Sequence, residues 1–146
     1  LWNYYNRVPR LSRVTDTTDT WTYTTATWRQ ARAATTNQCA VVVGVAEVLV
    51  DAFVQATAVN ASVINFQVGI GYDSTTAPTT GGIWSRQGVM VTNQEMPVFA
   101  SLRHYPAVGY HTYAWLEYST ATGTTTWWGD NAGTLFQSGI HCEYQG

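Results

Sequence analysis

Lysine is missing from this sequence altogether; the seven basic residues are all arginine. Charge as a whole is scarce: charged residues make up 11% of the chain, and the formal net charge is −2. There is no basic block, so nucleic-acid binding by phosphate neutralisation has little to work with. Cysteine is limited to two residues, Cys39 and Cys142, and no C-x-x-C pair exists, which leaves a zinc knuckle without support. No apolar run approaches the roughly 20 residues needed to span a bilayer. The long runs of Leu, Glu, Lys and Ala that favour helices are also missing. The chain opens on Leu1 rather than Met, and residues 1–13 carry arginines without the apolar core of a signal peptide. The expectation is a processed or truncated piece.

What is present points to strands. Thr is the commonest residue, and there are seven Trp and nine Tyr. Branched and flat side chains fit a pleated surface, so the chain reads as all-β. At 146 residues it is long enough for one domain with a real core. The expected fold is a jelly-roll β-sandwich of about eight or nine antiparallel strands, residues 21–146. An extended N-terminal arm, residues 1–20, precedes it; the arm mixes aromatics, arginines and T-D-T-T-D-T without a sustained period. Its expected partner is a neighbouring subunit or another protein.

Along the chain, residues 21–28 alternate and read as a strand, followed by a polar turn at 35–38. Residues 39–58 are the most apolar part. A helical period fits around 45–53, but the valines favour two strands, 40–46 and 48–57, with a bend near Glu47. Residues 62–72 alternate cleanly, with Ile64, Phe66, Val68, Ile70 and Tyr72 on one face and Gly69 and Gly71 on the other. The glycines leave room for another backbone or ring to come close. Residues 73–82 (D-S-T-T-A-P-T-T-G-G) form a loop. Short strands are expected at 83–86, 89–92 and 98–104, and further strands at 124–128 and 136–144.

Residues 110–119 (Y-H-T-Y-A-W-L-E-Y-S) carry rings on both faces of one strand. Two covered faces need a second sheet on one side and something more on the other, and another copy of the chain would serve. Tyr110, Tyr113, Trp115 and Tyr118 are therefore the candidate subunit interface.

Catalytic chemistry has thin support. His104, His111 and His141 have no metal-ligand spacing, and G-x-S-x-G is absent. Asp51, Asp73, Asp130, Glu47, Glu95, Glu117 and Glu143 are scattered; a facing pair of the kind a glycosidase uses is the one route to an enzyme. No cofactor is implied, and no metal. Trp84, Trp127 and Trp128 fall in or beside expected loops and are candidates for stacking on a sugar face, with core and interface filling as the alternative. Cys39 and Cys142 read either as buried free thiols or as a bridge from an early strand to the last.

Several blocks in order resemble a β-jelly-roll module of tailed-bacteriophage structural proteins: T-W-R-Q-A-R-A, V-V-V-G-V-A-E, G-I-G-Y-D-S-T-T, G-Y-H-T-Y-A-W-L-E-Y-S, G-T-T-T-W-W-G-D and S-G-I-H. The final third is also similar to the C1q/tumour-necrosis-factor-like jelly roll. The resemblance spans residues 21–146. It implies a homotrimer on a virion, at the end of a fibre, spike or head decoration, that acts by binding rather than catalysis. Its partners would be itself, other virion proteins through the arm, and a host cell-surface glycan; neither nucleic acid nor membrane is implied. A polysaccharide-degrading enzyme domain and a purely mechanical decoration protein are the alternatives.

Overall fold

A computed structural model describes residues 7–88, 90–133 and 135–146. Twelve strands follow in chain order: β1 (Pro9–Thr15), β2 (Thr20–Tyr23), β3 (Arg29–Gln30), β4 (Gln38–Val43), β5 (Val50–Asn60), β6 (Asn65–Tyr72), β7 (Ile83–Trp84), β8 (Arg86–Gly88), β9 (Met96–His104), β10 (Gly109–Ser119), β11 (Thr125–Trp128) and β12 (Gly139–Gln145). A single 3-10 turn, Ala31–Ala33, separates β3 from β4. No helix is long and apolar enough to cross a membrane among the described residues.

The strands form two antiparallel sheets. The first runs β1–β12–β5–β9–β7, and β11 continues along the same edge of β5 beyond β12, carrying β2 with it. The second has β4 and β3 on one edge of β10, then β6, then β8. The first strand pairs with the last, and most neighbours in space are distant in sequence. This is a jelly-roll-like sandwich.

Alternation explains why the apolar stretch is extended. In β5, Val50, Ala52, Val54, Ala56 and Ala58 face inward and are buried, while Asp51, Phe53, Gln55, Thr57 and Val59 face outward. A helix would spread those valines around its whole surface; a strand puts every second one inside. The bend expected near Glu47 is a six-residue turn, 44–49, closed by a Val48 N–H to Val45 carbonyl bond of 3.1 Å.

The inner faces close one core. The small Ala52, Ala56 and Ala58 of β5 leave room for large rings: Phe66 of β6, Tyr113 and Trp115 of β10, and Trp127 of β11 all lie in the same cluster. Trp21 meets Trp115 edge-on at 5.7 Å, and Phe66 meets Trp127 edge-on at 5.7 Å.

Outside β10 and β6, the chain covers itself. Leu116 and Ala114 face outward from β10 and are still buried. Gly69 and Gly71 of β6 are the reason. A Cβ at Gly69 would sit 3.2 Å from the Trp28 ring and 3.1 Å from Pro78, and a Cβ at Gly71 would collide with the Ser74 carbonyl oxygen. The bare glycines thus let loop 73–82 and Trp28 lie flat on the sheet.

Five expectations change. Among the described residues the strand count is twelve, not eight or nine, because several strands are very short. The chain crosses from one sheet to the other at Ser85, splitting the expected strand at 83–86 into β7 and β8. The strand expected over 21–28 ends at Tyr23. The strand expected at 89–92 is absent from 90–92, which is bend and turn, and Val89 lies outside the described residues. Of the expected arm, residues 1–6 lie outside the described residues, while Pro9–Thr15 is β1, hydrogen-bonded along its own chain's β12. It finds on that strand the partner expected on a neighbour.

Tyr113 and Trp115 are each 0% exposed inside the single chain, which moves them from the expected interface into the core. Trp115→Ala should cost about 3–5 kcal/mol in urea unfolding, with no specific change in association state.

Candidate functional site

Among the described residues, nothing covers the outer side of β1, β12, β5 and β9. Paired residues in neighbouring strands share a face, so the register lays out the surface row by row. Leu11, Glu143, Asp51 and Arg103 form one row. Arg13, His141, Phe53, Ser101 and Ile83 form the next. Gln55 and Phe99 follow.

Rings dominate the middle. Phe53 stacks on Phe99 with centroids 6.0 Å apart and lies 5.6 Å from the His141 ring. Phe99 is 39% exposed and Ile83 75%. Charge borders them: Arg103 stands 3.8 Å from Asp51, while Arg13 and Glu143 face outward without an ion pair among the described residues. Two shallow depressions share Phe53. One, of about 210 Å³, is lined by Arg13, Gln55, Gln137 and His141; the other lies beside Ile83, Trp84 and Phe99. Neither is lined by a carboxylate. No group of three or more His, Cys, Asp or Glu able to hold a metal ion occurs among the described residues.

The expected sugar-stacking residues do not come together. Trp127 is 0% exposed in the core. Trp128, next in sequence, points the other way and packs on Phe136 at 5.5 Å. Trp84 is 38% exposed, edge-on to Trp28 at 6.4 Å. Trp28 in turn lies 5.3 Å from Tyr118, so Trp84 and Tyr118 belong to one ring cluster outside the β10 sheet. Of the four expected interface residues only Tyr110 is well exposed, opposite the exposed Val42.

Cys39 and Cys142 are both buried free thiols, on strands of opposite sheets. Cys39 Sγ donates to the Ser12 carbonyl at 3.3 Å. The hydrogen bond between the two thiols, together with burial, pushes the Cys142 pKa up.

The sequence reading left Glu117 among the scattered acids, yet it is the centre of a buried polar knot with Asp16. Glu117 is 0% exposed. Its Oε1 accepts from Arg29 Nε at 2.6 Å and the Arg32 backbone N–H at 3.1 Å, and its Oε2 accepts from Trp21 Nε1 at 2.7 Å. Asp16 Oδ2 accepts from Arg32 Nε at 2.8 Å and Asn37 Nδ2 at 2.7 Å, and Oδ1 from the Thr18 N–H at 2.9 Å. Together they hold the 3-10 turn, where Arg32 and Ala33 have φ of 59° and 53°. Every oxygen of both carboxylates is occupied by protein donors, so the knot shapes the fold rather than receiving a substrate. A charged residue inside an apolar strand, as in W-L-E-Y, is the signal that marks such a site.

Comparison with known proteins finds no matching family model, curated protein or solved structure.

Two tests follow from the knot. Glu117→Ala strands two arginine donors and the Trp21 indole, and should cost about 3–5 kcal/mol in chemical unfolding. For Asp16, burial works against the charge, but Asn37, Arg32 and Thr18 outweigh it and hold the pKa below the ordinary carboxylate value. Its contribution is present above the unfolded pKa and is lost as pH falls through the folded one. Asp16→Asn should therefore flatten the acid limb of a stability–pH curve measured by thermal unfolding.

Proposed function

We propose that the chain is a self-associating jelly-roll module of a bacteriophage particle, a structural or attachment part that works as a homotrimer by binding rather than by turnover. The observation that carries the reading is the open outer face of β5, β9 and β12. Phe99 and Ile83 stand there exposed beside the half-buried Phe53, bordered by charge. Aromatic anchors within a polar rim are the usual make-up of a protein–protein interface. The jelly-roll-like architecture and the ordered sequence blocks support the phage assignment.

In this reading the interface residues are Phe53, Phe99 and Ile83, in place of Tyr113 and Trp115. The outer side of the β10 sheet, where Trp28 and Tyr118 cluster with Trp84 of β7, is the surface offered to a host glycan. Contacts with other virion proteins fall to the residues ahead of β1.

The test is sedimentation equilibrium at micromolar concentration. The wild type should sediment as a trimer. A Phe53→Asp/Phe99→Asp variant should sediment as a monomer with an unchanged β-sheet circular dichroism spectrum. A monomeric wild type, or a variant that stays trimeric, contradicts the reading.

A further inference from the structure

At one end of the sandwich, away from the open face, rings and a carboxylate from three strands meet. His111 of β10 is 9% exposed. Its Nδ1 lies 2.8 Å from Asp73 Oδ2, and its Nε2 lies 2.9 Å from the Ala107 carbonyl oxygen and 3.3 Å from the Tyr72 hydroxyl. Asp73 begins loop 73–82 directly after β6, with φ of 50°. Its Oδ1 accepts from the Thr112 N–H at 2.8 Å, and its own N–H donates to the Thr112 carbonyl at 2.8 Å. Ala107 lies in loop 105–108, which joins β9 to β10. One ring therefore ties two loops to β10.

The chemistry of the partners fixes the proton count. An Asp73 carboxylate oxygen and the Ala107 carbonyl oxygen only accept. A neutral imidazole has one N–H to give, and the imidazolium has two. Both short contacts are satisfied together only in the charged ring. In the neutral ring, Nδ1–H stays with Asp73, Nε2 presents a lone pair, and the Tyr72 hydroxyl is the one neighbour able to donate to it. The Ala107 carbonyl is then released.

We infer that His111 is a proton-operated clamp: binding a second proton to the ring fastens loop 105–108, and losing it frees that loop while loop 73–82 stays anchored. The titratable groups around the ring are Tyr72 and Asp73 at the end of β6, His104 on β9, and Tyr113 on β10. β4 places Val41 directly opposite, with Cys39 the nearest titratable group on that strand. Tyr72 packs 4.7 Å from the His104 ring and 4.9 Å from the His111 ring, and His104 Nε2 lies 2.8 Å from the Tyr113 hydroxyl. His104 is thus engaged elsewhere, which leaves His111 as the group that grips the loop.

The experiment follows ring nitrogen shifts and amide exchange of the full chain by NMR between about pH 5 and pH 8. Exchange in loop 105–108, corrected for intrinsic rates, should rise about tenfold as His111 gives up its proton, the size of one hydrogen bond to a charged group; loop 73–82 should stay protected. Tyr72→Phe removes the donor that rescues the neutral ring, so the transition should move to higher pH. Exchange in loop 105–108 that does not change across the ring's titration overturns the inference, as does a Tyr72→Phe transition at the wild-type pH. Should that variant not fold, the wild-type titration decides alone.

Discussion

A strand at the centre of a sheet has two faces, and in β10 neither faces water over most of its length. That constraint shapes the rest of the molecule. Tyr113 and Trp115 require a facing sheet with small side chains, which β5 supplies with its alanines. Leu116 and Ala114 require a cover on the other side, which the chain supplies from Trp28 and loop 73–82. The cover can lie close because β6 places glycines at two successive outward positions. The outer side of β10 is thereby covered along Ala114 and Leu116 within a single chain, while Tyr110 and Val42 stay exposed at its other end.

Scarce charge is spent in the same place. Two of the few acids, Glu117 and Asp16, are buried beside Arg29, Arg32 and Asn37 and hold a turn in a backbone conformation that non-glycine residues rarely adopt. Burial raises the Glu117 pKa despite its Trp21 and Arg29 partners, whereas Asp16 is held low by its hydrogen bonds. Their contributions to stability therefore change with pH in opposite senses. A buried paired charge adds little net stability compared with a well-packed apolar group, but it specifies one geometry. Here that geometry positions Trp28, the ring that roofs the sheet.

Much of this was readable from period alone. β5, β6 and β12 show which side chains face inward because half-buried strands alternate with period two. The two faces of β10 were equally plain. What covers its second face was not, because hydrophobicity reports that a ring will be buried and not which chain buries it. Trp127 and Trp128 looked alike in sequence, yet adjacent strand positions point to opposite sides. The 3-10 turn escaped because Arg32 and Ala33 carry none of the glycine that usually marks positive φ. Phe53 had a usable signal: it shares the outward parity of Asp51 and Gln55, where a large ring is out of place.

The open face of β5, β9 and β12 is where the described chain leaves Phe99 and Ile83 exposed beside Phe53, and the proposed reading rests on that face being covered by another copy of the chain. Covalent footprinting of aromatic and aliphatic side chains at micromolar concentration, against a dilute reference, tests this most directly. Phe53, Phe99 and Ile83 should be protected on concentration, while Tyr110 and Val42 stay labelled. Labelling of Phe53 and Phe99 that is the same in the concentrated and dilute samples would contradict it.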